Sequence, residues 1–367
     1  MRVILVYPRV HKFHSRIFKI VSSLEKRGYV VAVLSIAFNK DLPQKEGIGS
    51  MSEVYRVGFA SQSRYLQLLN FCVLYFKSLV TCFRNGTKMI WLNSVGVLPI
   101  SIIGKMVGLK VVYAPHELET ERSSATGGLK KKMSKLLESS FIQICDHVVV
   151  VGDAIAQWYK DAYDLETVKM LRNIPSTFTE VKPSSNYLRE KFQIADDKVV
   201  YIYQGILNKG RGLEVSIEAF KGNPDSHLVI MGFGPLEESV KQASLNHGNI
   251  HFHEPVPSDQ LVATAGGANV GMCLIENTCL SYYYSLPNKL FEYLNAELVI
   301  LGSNFPEISG IIDAHKVGWT IEPTSSDVSA ILATIDRRTI EGKMANIKQL
   351  KKDISWEKDF SGLDFMN

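Results

Sequence analysis

The sequence predicts an α/β protein built from two doubly wound domains in tandem, and three observations carry that prediction. Short apolar runs alternate with helical patterns from one end of the chain to the other. A turn-rich stretch, Asn173-Ile-Pro-Ser-Thr177, divides the alternation into two similar series. A chain of 367 residues has the length of two domains, each able to bury its own core. The first domain is expected over 1–174 and the second from 175 onward.

The first series opens with Val3-Ile-Leu-Val-Tyr7, an unbroken apolar run of the kind found in strands covered on both faces. A helix is expected next. Val10, Phe13, Ile17, Val21 and Leu24 share one of its faces, with Lys12, Arg16, Lys19 and Lys26 turned away. Gly28 ends it, and Tyr29-Val-Val-Ala-Val-Leu34 is the second strand. Met89-Ile-Trp-Leu92, Lys110-Val-Val-Tyr113 and His147-Val-Val-Val-Val151 follow as strands, with helical stretches near 65–84, 97–107 and 127–143. This rhythm is that of a parallel sheet with helices on both faces.

The second series has strands at Val199-Val-Tyr-Ile-Tyr203, Leu228-Val-Ile-Met231, Asn249-Ile-His-Phe252, Val270-Gly-Met-Cys-Leu274 and Leu298-Val-Ile-Leu301. Helices are expected at about 212–221, 235–246, 288–296 and 305–312. Open sheets of this type bind ligands at the carboxyl ends of their strands. Two of them facing each other across a cleft would place the active site there.

Composition narrows the class. With 46% hydrophobic and 21% charged residues, the chain is neither disordered, nor collagen-like, nor a coiled coil. Cys72, Cys82, Cys145, Cys273 and Cys279 are widely spaced, with no CxxC pair, which points to a reducing cytosol rather than a disulfide framework or structural zinc. The first residues look like a strand and not a signal peptide. The longest uncharged run, between Lys88 and Lys105, is interrupted by Asn93, Ser94, Gly96 and Pro99 and is too short to span a bilayer. A cytoplasmic protein, at most attached to a surface, is the expectation.

The net charge of +4 is unevenly distributed: residues 1–174 carry +11 and residues 175–367 carry −7. The basic half suits an anionic partner, whether an acidic lipid surface, a phosphorylated substrate or nucleic acid. Nucleic acid has no supporting motif in this chain. Solvated basic helix faces would give the same count.

Four segments bear on chemistry. Tyr203-Gln-Gly-Ile-Leu-Asn-Lys-Gly-Arg-Gly-Leu-Glu214 follows a strand and opens a helix, so its glycines bring backbone N–H groups close to an anion that Lys209 and Arg211 would neutralise. It is neither a Walker A sequence nor GxGxxG, and a plain glycine-rich turn would look the same. In Ser285-Leu-Pro-Asn-Lys-Leu-Phe-Glu-Tyr293, a helix starts at Pro287 or Asn288, and Glu292 lies one turn in, placed to accept from a ribose diol or simply to complement the helix dipole. Met231-Gly-Phe-Gly-Pro-Leu236 reads as a structural turn. Tyr113-Ala-Pro-His-Glu-Leu-Glu-Thr-Glu121 puts His116 and Glu117 directly after a strand, where His116 would accept a proton or bind a sugar hydroxyl.

Taken in order, these pieces resemble a known family. HEL after a strand, CDHVVVVGDAIAQWY, RNIPS, YQGILNKGRGLE, IMGFGP and LPNKLFEYL together look like a GT-B glycosyltransferase of the family 4 type, and the resemblance covers nearly the whole chain. It implies two Rossmann-like domains, with an acceptor-binding half at 1–174 and a nucleotide-sugar-binding half at 175–352. Ile354-Ser-Trp-Glu357 resembles the family's last helix, so 353–367 is expected to return to the first domain. It also implies a retaining transfer from a UDP- or GDP-sugar with no metal or other cofactor. No DxD motif is apparent.

Carried over, the resemblance assigns Gly205, Lys209, Arg211, Asn288 and Lys289 to the donor diphosphate, with backbone amides acting at the last two. Pro255, Val256 and Glu292 would hold the nucleoside, and His116 would sit near the anomeric carbon. Arg9, His11 and Glu117 fall on the acceptor side. Three departures stand out. The first of the family's paired glutamates is Tyr284; the first-loop Gly-Gly is replaced by Tyr7-Pro-Arg-Val-His11; and the arginine after the first loop glycine is Ile206, leaving Arg211 for that role.

The basic segment Gly127-Gly-Leu-Lys-Lys-Lys-Met-Ser-Lys-Leu-Leu137, and the apolar stretch 65–84, suit a glycan or lipid-linked acceptor at an anionic membrane surface, as in cell-surface polysaccharide synthesis. Two other readings use the same residues: a sugar-nucleotide epimerase on this fold, and a non-catalytic nucleotide-sugar-binding partner of a glycan-assembly complex.

Overall fold

The computed structural model describes residues 1–8, 15–61, 63–122, 128–176, 178 and 186–366. The chain forms two compact units. One comprises Met1–Asn173 together with Trp356–Asn367, and the other is Ile174–Ser355. The boundary thus falls one residue before the expected 174/175 division, and the return point lies at Trp356 rather than 353.

The first unit contains β1 (Arg2–Val6), α1 (Ser15–Glu25), β2 (Val30–Ile36), β3 (Lys45–Ile48), β4 (Ser52–Val57), α2 (Arg64–Cys82) and β5 (Thr87–Leu92). It continues through α3 (Ile100–Met106), β6 (Lys110–Tyr113), α4 (Gly128–Phe141), β7 (His147–Val150), α5 (Asp153–Tyr163) and β8 (Lys169–Met170). Among the described residues the strand order is β3-β4-β2-β1-β5-β6-β7-β8, parallel except for the β3–β4 pair. β1 lies between β2 and β5 with Leu5 opposite Val33 and Trp91, and each of these side chains is fully or almost fully buried. Continuous apolar runs form these strands because a parallel strand with helices on both sides has no wet face. The strand order reverses between β1 and β5, the position where such sheets open a ligand crevice.

The expectation that Arg16 faces away from the core is corrected: it is 3% exposed. α1 is buried on two sides. Ile17, Val21 and Leu24 meet the sheet core, while Ile20 and Ser23 form a second buried row that includes Arg16 one turn earlier. The C-terminal helix Trp356–Ser361 covers part of that row. Trp356 Nε1 donates to Ser23 Oγ at 2.8 Å, and Trp356 and Phe360 are fully buried. Arg172 grips Asp359 through two nitrogens, at 2.8 and 2.7 Å, and Lys110 Nζ donates to the carbonyl of Phe365 at 2.7 Å.

α4 is fixed by an unusual polar cluster. Glu138 is fully buried and accepts from the hydroxyls of Tyr113 (2.6 Å), Tyr159 (2.9 Å) and Tyr163 (2.6 Å). Three donors compensate a desolvated carboxylate on this short span of α4, β6 and α5. One described helix segment, Tyr65–Cys82, is long and apolar enough to cross a membrane, which the run between Lys88 and Lys105 is not. It packs on the sheet through Asn70, Leu74, Ser78 and Thr81, and Asn70 bonds both the N–H and the carbonyl of Phe59.

The second unit contains α6 (Tyr187–Phe192), β9 (Val199–Ile206), α7 (Leu213–Lys221), β10 (Ser226–Phe233), α8 (Glu237–Asn246), β11 (Ile250–His253), α9 (Leu261–Ala265) and β12 (Val270–Cys273). α10 (Leu280–Tyr283), α11 (Asn288–Asn295), β13 (Val299–Ser303), α12 (Pro306–His315), β14 (Gly318–Ile321), α13 (Ser325–Leu332) and α14 (Arg337–Asp353) complete it. Its sheet is parallel, in the order β11-β10-β9-β12-β13-β14. The order reverses between β9 and β12, so the loop after β9 stands at this unit's own switch point.

Candidate active site

Two glycine turns build the loop after β9. Gly212 adopts φ +74°, and a Cβ there would meet Leu274 at 2.5 Å, so only glycine lets the loop turn into α7 against the end of β12. Gly232, on β10, lies beside Gly205 in register, and a Cβ there would be 1.9 Å from the Gly205 carbonyl. The Met231–Leu236 turn is therefore a buttress for the loop after β9. Leu207 N donates to the Phe233 carbonyl at 2.8 Å, and Leu236 N to the Leu207 carbonyl at 3.0 Å.

Between this loop and the start of α11 lies a cavity of about 230 Å³. Gly205, Arg211, Asn288, Lys289 and Glu292 all line it, which brings together five of the residues singled out in the sequence. Arg211 is held by the ring of Tyr282, 4.7 Å from its guanidinium carbon. Glu276, just after β12, accepts from Gly212 N at 3.1 Å, and its own N–H bonds the Gly210 carbonyl at 3.1 Å. These contacts aim the loop without using Arg211's charge.

Lys289 is the unexpected member. Its side chain, only 8% exposed, lies with Nζ 4.1 Å from the centre of the Tyr203 ring, and among the described residues Nζ has no hydrogen-bond partner. Burial, with Arg211 adding to it, depresses the ammonium to about 8. It is still mostly protonated at neutral pH, so a desolvated positive charge borders the cavity. Burial also raises the nearby Cys273 thiol to about 11, which keeps it neutral.

Glu292 receives a 2.5 Å hydrogen bond from Gln204 Nε2, and Tyr293 OH accepts from Gln204 N at 2.9 Å. Gln204, Tyr203, Tyr282 and Glu276 are positioning residues that sequence reasoning did not assign. The only signal was their membership of, or closeness to, the glycine and LPNKLFEY segments.

Other assignments fall elsewhere. Lys209 is exposed and does not line the cavity, because Gly210 reverses the loop after it and leaves Arg211 facing in. Pro255, exposed, and Val256, half-buried, follow β11 and do not line it either.

In the first unit, His116 lies just beyond β6. Its ring stacks on Tyr7 (5.2 Å, 14°), and Nε2 is 3.2 Å from Asn93 Oδ1. A carbonyl oxygen only accepts, so Nε2 carries the hydrogen. Tyr7 and Asn93 follow β1 and β5, which sets His116 at that unit's switch point. Glu117 is paired with Arg122 at 3.1 Å. Arg9 and His11 lie outside the described residues.

A second cavity, of about 520 Å³, lies in this unit between α2 and α4 and is lined by Asn70, Phe71, Glu119, Arg122, Lys130 and Ser134, among others. Burial raises the Glu119 carboxyl above its usual range.

Comparison with known proteins agrees with this architecture. Residues 184–347 match the model of the family described as glycosyl transferases group 1. No curated protein matches the chain in sequence. Among solved structures, sucrose-phosphate synthase from Thermosynechococcus elongatus superposes with a TM-score of 0.76 at 13% identity, covering 98% of this chain and 96% of its own. HepE of Anabaena, in complex with UDP-glucose, gives 0.71 at 14% identity, covering 99% and 100%. WaaG, a glycosyltransferase involved in lipopolysaccharide biosynthesis, gives 0.66 at 15% identity, covering 98% of each chain. At these identities the likeness is one of fold.

Proposed function

We propose that this glycosyltransferase, a chain of GT-B fold with a glycosyl transferases group 1 domain at residues 184–347, moves a sugar from a UDP-sugar to a lipid-linked glycan acceptor with retention at the anomeric carbon. The observation that carries the donor half is the cavity in which Arg211 and the unpartnered, buried Lys289 stand beside Glu292.

When the sugar–phosphate bond breaks, negative charge grows on the departing diphosphate. Two fixed cations, the start of α11 and the backbone of the Gly205 loop all favour that charge. They act more strongly on the transition state than on the ground state, which is the condition for accelerating the step. With this charge supplied by side chains, the reading invokes no metal. Glu292, oriented by Gln204, is assigned to the ribose hydroxyls. His116, oriented by Asn93 and Tyr7, is assigned to a sugar hydroxyl of the substrate. Uridine is preferred over guanosine because HepE is described in complex with UDP-glucose.

The acceptor reading rests on the exposed apolar face of α2. The helix buries Asn70, Leu74, Ser78, Thr81 and Cys82 while exposing Tyr65, Leu68, Leu69, Phe76 and Val80. α4, on the other side of the 520 Å³ cavity, exposes Leu129, Met133 and Leu136 together with Lys130 and Lys132, whereas Lys131 and Lys135 are held by Glu121. Apolar side chains interleaved with lysines suit the interface of an anionic membrane. These features support our reading of a protein at the cytoplasmic face of a membrane, acting in cell-surface glycan synthesis.

Incubation with UDP-glucose and other UDP-sugars, with product analysis by anomeric NMR coupling, tests the reaction. Transfer with retained configuration supports it. A donor isomerised without transfer points to the epimerase, and binding without turnover to the non-catalytic partner. Failure to float with anionic liposomes at low salt overturns the membrane part.

A further inference from the structure

The buried guanidinium of Arg16 has no role in the donor site, which lies in the other unit. It occupies the first turn of α1, a helix of eleven residues, and is 3% exposed. Among the described residues, none of its three guanidinium nitrogens has a hydrogen-bond partner. A guanidinium carries five N–H donors and stays charged at any ordinary pH. Desolvating it without a partner is among the most costly arrangements a fold can hold. Burial lowers it only to about 10, so the charge persists.

Its surroundings also point to a ligand. The positive end of the α1 dipole lies at the same place. Tyr7, at the end of the central strand, is electrostatically coupled to Arg16 and also to Arg122, Glu119 and Glu117, and it stacks on His116. Pro8, Glu119 and Arg122 line the 520 Å³ cavity. Arg16 is not among the residues that line this cavity; its coupling to Tyr7, the residue that follows β1, sets the unpaired cation near the carboxyl end of that strand, where the strand order reverses and open sheets take their ligands.

We infer that Arg16 anchors an oxyanion site in the first unit, taking a phosphate or carboxylate group carried by the sugar acceptor. The planar fork of arginine matches either group with two parallel N–H···O bonds. The word acceptor rests on the glycosyl-transfer reading; the anion site does not.

The test uses the full chain with UDP at saturation, so that the cavity of Arg211 and Lys289 is filled. Binding of orthophosphate, a hexose phosphate, a hexuronate and a neutral hexose is compared by calorimetry at constant ionic strength, in wild type and in Arg16→Met and Arg16→Lys. The expected result is binding of at least one oxyanion but not of the neutral hexose. Arg16→Met should weaken it at least tenfold and Arg16→Lys less, with UDP affinity within twofold of wild type. Binding of all three anions supports a site that reads charge alone. Binding confined to the hexuronate, or to the two phosphates, supports the site and identifies its group. Equal binding of charged and neutral sugars, or full anion binding by Arg16→Met, overturns the inference. Should Arg16→Met fail to fold, phenylglyoxal labelling of wild type mapped by mass spectrometry decides. Protection of Arg16 by the anionic sugar alone supports the site, and equal labelling with both sugars overturns it. Absence of UDP binding to wild type would count against the donor reading, and the anion series without UDP would still decide Arg16.

Discussion

Lys289 and Tyr203 form a cation–aromatic pair, with the ammonium 4.1 Å from the ring centre and no hydrogen-bond partner for the nitrogen. The ring lends the charge partial compensation and leaves its hydrogens for an anion. Lys289→Met and Arg211→Ala are therefore each expected to lower turnover roughly ten- to a hundredfold, the equivalent of ~1.5–3 kcal/mol for a charge-assisted bond. Lys209→Ala, whose side chain faces solvent, should stay within about threefold of wild type. Steady-state kinetics on the three variants checks the ranking, and a Lys209 effect larger than that of Lys289 would reverse the assignment.

On the proposed function, the same pair should make UDP binding sensitive to alkali. With Lys289 held down to about 8, the free protein loses this ammonium as pH rises through that value. The UDP dissociation constant should climb above pH 8, by at most about tenfold per pH unit, and Lys289→Met should flatten the profile. Stability runs the other way. A depressed lysine contributes fully above the unfolded value near 10.5 and loses that contribution as pH falls through about 8, so the empty site carries the burial cost at neutrality. Calorimetric titrations between pH 7 and 9.5 measure the first effect.

Gly232→Ala should damage the donor loop from a distance. The added Cβ would meet the Gly205 carbonyl at 1.9 Å, so β9 and β10 must part where the loop begins. Loss of UDP binding is expected, with a destabilisation of roughly 1–3 kcal/mol from overpacking. Urea unfolding alongside UDP titration reports both, and unchanged affinity would show that the loop position is not set there.

Tyr159→Phe removes one of the three donors to the buried Glu138 carboxylate. A hydrogen bond to a charged group is worth about 1.5–3 kcal/mol, and the carboxylate left behind is still desolvated. Tyr113→Phe should cost a similar amount, and the two changes together should be non-additive because they share Oε1. Denaturant midpoints for the double-mutant cycle provide the measurement.

Acid should weaken the second unit first at its histidine pair. His227 Nδ1 and His251 Nε2 are 3.1 Å apart, and burial followed by the charge on His227 holds His251 down to about 4. The unfolded chain takes up a proton near 6.5 that the folded chain refuses, so stability is full above 6.5 and declines as pH falls toward 4, by about 3 kcal/mol in all. His251→Gln should shrink that decline, as followed by thermal melts at pH 7, 5.5 and 4.5.

The strands legible in the sequence were those buried on both faces, β1, β2, β5 and β9 among them, because an unbroken apolar run has few other uses. The edges were not legible. β3 reads Lys-Glu-Gly-Ile, β8 is two residues long, and β14 is half-exposed, so none carries an apolar run. At the candidate site, the glycine loop and the helix after Pro287 were visible as motifs. Which cation turns inward was not. That depends on the backbone reversal at Gly210 and on a tyrosine ring beneath Lys289, neither of which leaves a mark in spacing. Arg16 was misread for a related reason: periodicity within α1 cannot show that the helix is buried on a second side as well as against the sheet.

The Trp356–Ser361 helix also imposes an order on biosynthesis. Because Trp356, Phe360 and Phe365 fill part of the core that holds β1 and α1, a nascent chain emerging from the ribosome holds every residue of the Ile174–Ser355 unit before these buried aromatics of the first unit exist. The Ile174–Ser355 unit is thus positioned to mature ahead of the unit that precedes it in the chain. Cutting the polypeptide after Ser355 would strip the indole from Ser23 and open a hole beside α1, so the loss of one helix would be felt more than 300 residues earlier in the chain.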